Sequence, residues 1–390
     1  MSSDESRLET FEWLLGDDGQ ELLSQVEAGD RSLGAASSLR ARFQAEQVSL
    51  AFSIAELRDK GRAKFGSAAR HMYFTREALE QATRLPVARH RAGRIAAAAP
   101  DSVIDLGCGI GGDLVALAEA GLTTAGVDLD PLRVAMARAN LVALGLPGAV
   151  SVADATTLDL SPFGVRFADP ARRTGAGRSF RPDAWLPSWE FVSDLLTRAS
   201  CVKVAPGIPH AMVPAGVEAE WVSDHGELKE AVLWSGPLAT VVRRATVIGN
   251  GGLATLTDED DPGGIDAGPV LGLLYEPDDA VIRAGLVTAV AAGVGGRLID
   301  PKIAWVTSEH AFTTPFARGY RVLEEVPFRE KALKQALRQR GIGSLTIKKR
   351  GVQVVPEHLR ARLSLRGDEA ATLVLTRVQG RGVALLVEPF

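Results

Sequence analysis

Cysteine is almost missing from this chain: two of 390 residues, Cys108 and Cys201. Two thiols cannot build a disulfide framework, and they fit a reducing compartment. There is no Cys-x-x-Cys and no Cys/His cluster, so no structural zinc site and no metal are expected. No apolar run reaches membrane-spanning length. The start, Met1-Ser-Ser-Asp-Glu-Ser-Arg7, is too polar for a secretory leader, so a cytoplasmic location is expected and no membrane partner. No Ser/His/Asp or Cys/His arrangement is evident among the six histidines. Net charge is only −4, which points to no partner by itself because the charge is unevenly spread.

What the chain does have is room and an ordinary globular composition, with 46% apolar and 24% charged residues. At this length two or three domains with proper cores are expected. The most informative stretch is Asp105-Leu-Gly-Cys-Gly-Ile-Gly-Gly112, followed by Asp128 in Gly-Val-Asp-Leu-Asp130. Ser102–Asp105 reads as a buried strand that breaks into a glycine turn and feeds a helix over 113–120. Thr123–Val127 reads as a second strand ending in a carboxylate. In a parallel α/β sheet that carboxylate lies beside the glycine turn, where it can grip ribose hydroxyls.

Two cofactor classes compete for such a loop. Gly107, Gly109 and Gly112 fit the dinucleotide spacing G-x-G-x-x-G, whereas Asp105, Gly107, Gly109 and Gly111 fit D-x-G-x-G-x-G. The glycines do not decide between them. The acids do: Asp105 and Asp113 would repel a pyrophosphate at the loop and helix N-terminus but welcome a cation. S-Adenosylmethionine, with its sulfonium and α-ammonium, is such a ligand. Here the chain resembles the class I S-adenosylmethionine-dependent methyltransferases. The resemblance implies that Asp105 and the loop (Gly107, Gly109, Gly111) hold the methionine end. It also implies that Asp128 holds the ribose and that Asp154 sits near the adenine.

A second constellation follows in Phe167-Ala-Asp-Pro-Ala-Arg-Arg173. Val165–Ala168 reads as a short strand that delivers Asp169-Pro170 to the same sheet edge as the glycine loop, where open α/β sheets bind ligands. Methyltransferases acting on amino nitrogens of bases carry D/N-P-P-aromatic here. The acid and a proline-fixed carbonyl accept from the target N–H, and the aromatic stacks on the base. Asp169 and Pro170 match, while Ala171 and Arg172 replace the second proline and the aromatic. An arginine plane can itself stack on a base, and Trp185 and Trp189 are candidates for the missing platform. Methyl transfer needs alignment more than acid–base work.

The resemblance extends along most of the chain. Lys64-Phe65, Met72-Tyr-Phe-Thr75, Glu80-Gln-Ala-Thr83 and Ala88-Arg-His-Arg91 look like a bacterial group of methyltransferases whose catalytic domain precedes a THUMP-like domain, THUMP being an RNA-binding module. Lys203-Val-Ala-Pro-Gly-Ile-Pro209, Glu218–Ser223 and Ile347-Lys-Lys-Arg-Gly351 fit the same pattern. A more distant similarity to trimethylguanosine synthases implies that Phe74 and Thr75 close over the cofactor; otherwise Thr75 is a helix N-cap and Phe74 a packing residue. The expected fold is an α/β class I methyltransferase sheet (96–250) after a helical N-terminal region (1–95). A linker (251–268) and an α/β THUMP-like domain (269–390) complete the chain.

That last domain is where a nucleic acid could bind. Pro327 to Arg366 holds eleven Lys/Arg against two Glu. Arg329, Lys331, Lys334, Arg338 and Arg340 fall along one expected helix, and Lys348-Lys349-Arg350 on a strand. A basic patch confined to one domain is the footprint of a phosphate backbone. The reading is therefore a methyltransferase acting on a base nitrogen of single-stranded or flipped RNA. The alternatives are a small-molecule or protein methyltransferase with the basic domain as an interaction surface, or a catalytically silent cofactor-binding module.

Overall fold

The computed structural model describes residues 3–172 and 185–390, with the side chains of all of these but 3–4, 171–172 and 185–186. The chain divides into two compact units, Met1–Val217 with Val232–Thr240, and Glu218–Ala231 with Val241–Phe390.

The first unit opens on helices α1 (Ser3–Leu15), α2 (Asp17–Ala28), α3 (Leu33–Leu39) and α4 (Ala45–Phe65), which bury Phe11, Leu14, Leu22, Leu23, Ile54 and Phe65 in a common core. Two further helices follow with a short break between them, α5 (Arg76–Gln81) and α6 (Leu85–Ala97). Pro86 explains the break: it lacks an amide proton, so it is tolerated only in the first turn of a helix, and α6 starts around it. Then come β1 (Val103–Leu106), α7 (Gly112–Glu119), β2 (Thr124–Asp128), α8 (Pro131–Ala143), β3 (Ala149–Val152) and β4 (Val165–Ala168). A small antiparallel pair, β5 (Ala171–Arg172) and β6 (Trp185–Leu186), precedes α9 (Trp189–Leu195) and β7 (Ser200–Val204).

In this unit β1 pairs in parallel with both β2 and β4, β2 with β3, and β4 with β7. The spatial order is therefore β7-β4-β1-β2-β3. β1 and β4 are buried at every position, as expected of central parallel strands covered on both faces. The chain runs outward one way from β1 through β2 to β3, and the other way from β4 to β7. The crevice beyond the carboxyl ends of β1 and β4 is thus the topological switch point.

The second unit contains β8 (Glu218–Asp224), β10 (Arg243–Gly249) and β11 (Gly252–Thr257); the division between the units falls within β9 (Glu227–Trp234). β10 runs parallel to β8 and antiparallel to β11. So Gly252–Thr257, placed by the sequence in a linker, is a paired strand: its ladder with β10 satisfies the backbone groups that Asn250-Gly-Gly252 turns back. The expected boundary at 250 is likewise not where the compact units part. A seven-stranded sheet follows, built from β12 (Leu273–Pro277), β13 (Arg297–Asp300), β14 (Ile303–Ser308), β15 (Ala317–Val326), β16 (Ile342–Lys349), β17 (Glu369–Val378) and β18 (Arg381–Pro389). Its order is β13-β14-β12-β15-β18-β17-β16, antiparallel except for β16 beside β17. Helices α10 (Asp279–Ala284), α11 (Val287–Gly293), α12 (Glu330–Gln339) and α13 (Pro356–Leu363) complete it. α12 and α13 bury Leu333, Leu337, Leu359 and Leu363 among Leu345, Leu373 and Leu375. Among the described residues no helix is long and apolar enough to cross a membrane.

Candidate active site

The register of β1 puts the pieces together. Leu106 lies beside Val127 on one neighbour and Ala168 on the other, so the next residues out are Gly107, Asp128 and Asp169. The amides of Gly107 and Cys108 both donate to the Val127 carbonyl, at 2.8 and 2.9 Å, which turns the chain back over β2. Asp128 then fixes the loop: one carboxylate oxygen accepts from the Gly109 amide and the other from the Asp130 amide, both at 2.9 Å. Gly107 and Gly109 have φ of 90° and 54°, and a Cβ on either would point into open space. They are needed for the left-handed backbone and for the clear approach it gives a ligand. Gly111 serves differently. It caps α7 with φ of 80°, and a Cβ there would press on Ala137 of α8 at 3.2 Å.

The loop borders a cavity of about 410 Å³, within the ~300–1,000 Å³ usual for small ligands. Asp105, Gly107, Gly109, Asp113, Asp128 and Asp169 line it, as do Thr83, Arg133 and Lys203. Its electrostatics are set by which acids are paired. Arg91, 3% exposed, bonds Asp113 at 2.6 Å and lies 4.8 Å over the Phe167 ring. Lys203 bonds Asp169 at 2.5 Å and Thr83 Oγ1 at 3.0 Å. Asp105 is left with its Oδ1 buried and without a hydrogen-bond partner. Burial, then the carboxylates of Asp113 and Asp169, push the Asp105 carboxyl well above the usual carboxylate range, against the opposing pull of Arg91. Burial also pushes the Cys108 thiol up, so it supplies no thiolate. A buried carboxyl with one orphaned oxygen, a second carboxylate braced by amides and an open glycine loop suit a ligand carrying both an ammonium and vicinal hydroxyls.

Several expected residues lie elsewhere. Phe74 and Thr75 do not line this cavity. Phe74 is buried against the Phe65 ring, 5.6 Å between centroids, and Thr75 caps α5 by accepting from the Ala78 amide at 3.1 Å. Their segment supports the loop instead: buried Asn140 accepts from the Tyr73 amide at 2.6 Å and donates to the carbonyls of Tyr73 and Ile110. Asp154 is exposed and turns back on itself, accepting from Thr156 at its amide and hydroxyl (2.9 and 2.7 Å), so it too is absent from the lining. Pro170 follows Asp169 without lining the cavity, and Arg172 enters the β5–β6 pair. The side chains of Arg172 and Trp185 lie outside the described ones, and Trp189, half-buried, opens α9. Lys203 had no expected role in the site, although it stands on a strand ending at the same sheet edge.

The basic region of the second unit is less bare than its composition suggests. Lys348 reaches Glu276 at 2.5 Å, Arg350 reaches Asp279 at 3.7 Å, Arg340 pairs with Glu324, and Arg362 pairs with Glu330. Lys334 donates to the Arg362 carbonyl at 2.9 Å. Lys331 and Lys349 are exposed.

Comparison with known proteins bears on the family and the fold. A methyltransferase domain model matches residues 103–168, a THUMP domain-like model matches 317–389, and a domain of unknown function matches 6–61. Two uncharacterized S-adenosylmethionine-dependent methyltransferases, from two strains of Mycobacterium tuberculosis, are each 39% identical over 311 residues, covering 78% of this chain and 84% of theirs. The crystal structure of a Porphyromonas gingivalis protein described as a candidate methyltransferase shares the fold at a TM-score of 0.73 and 21% identity, over 99% of this chain and 98% of that one. The chain belongs to the S-adenosylmethionine-dependent methyltransferases.

Proposed function

We propose that this methyltransferase acts on a base nitrogen of RNA. The observation that carries the reading is the placing of Asp105 and Asp169 at the ends of adjacent strands, lining one cavity. The residues present fit the cofactor. The orphaned Oδ1 of Asp105 would receive the α-ammonium, the loop at Gly107 and Gly109 would admit the methionine end, and Asp128 would take the ribose hydroxyls. Bound there, S-adenosylmethionine supplies a methyl group on a sulfonium, an electrophile that needs no acid catalyst. What the protein contributes is alignment. Asp169 would accept an N–H of the acceptor, turn the nitrogen lone pair toward the cofactor side of the cavity, and stand ready to take the proton released after transfer.

Asp105 gives this reading a pH signature. Its carboxyl is raised in the free protein, and an ammonium beside it would pull it down. Cofactor binding should therefore release a proton, and affinity should rise with pH through the raised range and level off above it. Calorimetry in two buffers of different ionisation enthalpy, repeated across pH, measures that proton; proton release at no pH would move the ammonium away from Asp105.

RNA as the acceptor is supported by the THUMP domain-like match and by the cations of that region. With Lys348 and Arg350 engaged by acids, the contact falls first to Lys331 and Lys349. Lys331→Glu combined with Lys349→Glu should weaken RNA binding and flatten its log–log salt dependence by roughly 1.4 to 1.8, about 0.7–0.9 per lost phosphate contact, with cofactor affinity unchanged. RNA affinity that survives both changes would take the basic face out of the reading. The direct experiment incubates the protein with labelled S-adenosylmethionine and RNA from a deletion strain, then maps the modified nucleotide. Label in small molecules or protein but not in RNA would replace the acceptor.

A further inference from the structure

We propose that Lys203 is a positioning residue for methyl transfer: it holds Asp169 by one oxygen, cancels its charge, and is itself held in place by Thr83. The inference rests on Asp169 being the group that binds the acceptor. β4 and β7 pair with Ala168 beside Val202, so the residues that follow, Asp169 just past the end of β4 and Lys203 within β7, stand side by side at the active edge of the sheet. Lys203 Nζ lies 2.5 Å from Asp169 Oδ2 and 3.0 Å from Thr83 Oγ1. Thr83 sits in the short break between α5 and α6. That break is anchored in turn by Lys64, in the last turn of α4, whose ammonium donates to the carbonyls of Glu80 and Ala82 at 2.6 and 2.7 Å. A cation on the terminal carbonyls of a helix is favourably placed for both hydrogen bonding and the helix dipole. Lys64, Thr83, Lys203 and Asp169 come from four places in the chain and form one connected support.

Its consequence follows from the other charges of the cavity. Asp113 is already answered by Arg91, while Asp105 and Asp128 face the ligand space. An unpaired Asp169 would add another carboxylate to that space, able to turn either oxygen toward any donor. With Oδ2 on Lys203, Oδ1 remains for the acceptor, in one orientation. The pairing also neutralises Lys203, which as a lone cation lining the same cavity would oppose a sulfonium.

The first test needs no RNA. S-Adenosylmethionine and S-adenosylhomocysteine differ in the charge on sulfur, so the ratio of their dissociation constants, measured by calorimetry on the full chain, reads uncompensated charge in the cavity. Asp169→Asn should disfavour the sulfonium form on the order of tenfold relative to wild type, Lys203→Met should favour it severalfold, and the double variant should return close to the wild-type ratio. A ratio unmoved by either single change would overturn the inference, since a merely structural lysine would not distinguish the two ligands. The second test uses labelled methyl transfer to RNA. Lys203→Met should lower kcat on the order of a hundredfold at little-changed KM, Lys203→Arg should restore most of it, and Thr83→Val should cost less than Lys203→Met. Wild-type kcat in Lys203→Met alongside an inactive Asp169→Ala would sink this proposal alone. Wild-type activity in Asp169→Ala would sink the underlying assignment of Asp169.

Discussion

Replacing Asp128 by alanine should raise the dissociation constant for S-adenosylmethionine at least about a hundredfold, with the sheet intact. Two losses combine in that one change. The carboxylate braces the glycine loop through the amides of Gly109 and Asp130, each at 2.9 Å, and without it two loop amides lose their acceptor. A partly buried hydrogen bond of this charge-assisted kind is worth roughly 1.5–3 kcal/mol. The same carboxylate is the proposed ribose grip, so the ligand would lose its own bonds as well as a formed loop. Asp128→Asn separates the two: its amide oxygen can keep the Gly109 bond while one acceptor is lost, and about a tenfold loss is expected. The fold should tolerate both variants, because β2 remains paired on both sides. Calorimetry with thermal melts as control measures this, and a constant within about threefold of wild type for Asp128→Ala would place the ribose elsewhere.

Asp169→Ala should abolish methyl transfer, by a factor on the order of a thousand or more, while S-adenosylhomocysteine binds within about threefold of wild type. The reason is positional. Asp169 lines the cavity from the end of β4, the strand beside β1 from which the loop grows, so its removal takes away the group that orients the acceptor and leaves the cofactor's proposed partners in place. Losing orientation together with a proton acceptor at the reacting nitrogen costs both an aligned geometry and a base. Labelled transfer at saturating cofactor gives the rate, and equal activity in the variant would move the acceptor away from this sheet edge.

Both predictions use residues that stood out in the sequence, and this was no accident of composition. Asp105, the glycines and Asp128 belong to one continuous strand–turn–helix–strand, whose geometry follows from local rules: buried apolar strands, left-handed glycines, a carboxylate at a strand end. Val165–Ala168 announced β4 for the same reason, and Asp169 came with it. Phe74, Thr75 and Asp154 came from resemblance, and in the structure the contacts of each are local. Phe74 packs on Phe65, Thr75 caps α5, and Asp154 closes a turn at Thr156.

By itself, the sequence determined the parallel α/β core, the family, the cofactor and the carboxylates around its loop, because these depend on neighbours along the chain and on strand order. Which of those carboxylates are paired was decided only in three dimensions. Lys203 meets Asp169 across 34 residues, Arg91 meets Asp113 across 22, and Lys348 meets Glu276 across 72. No periodicity or local motif carries such pairings; they arise from the register of adjacent strands and from where helices land on the sheet. That is why the acidic loop was legible from the start, while the lysine that pairs with Asp169 beside it, and the acids that claim part of the basic face, emerged only from the tertiary structure.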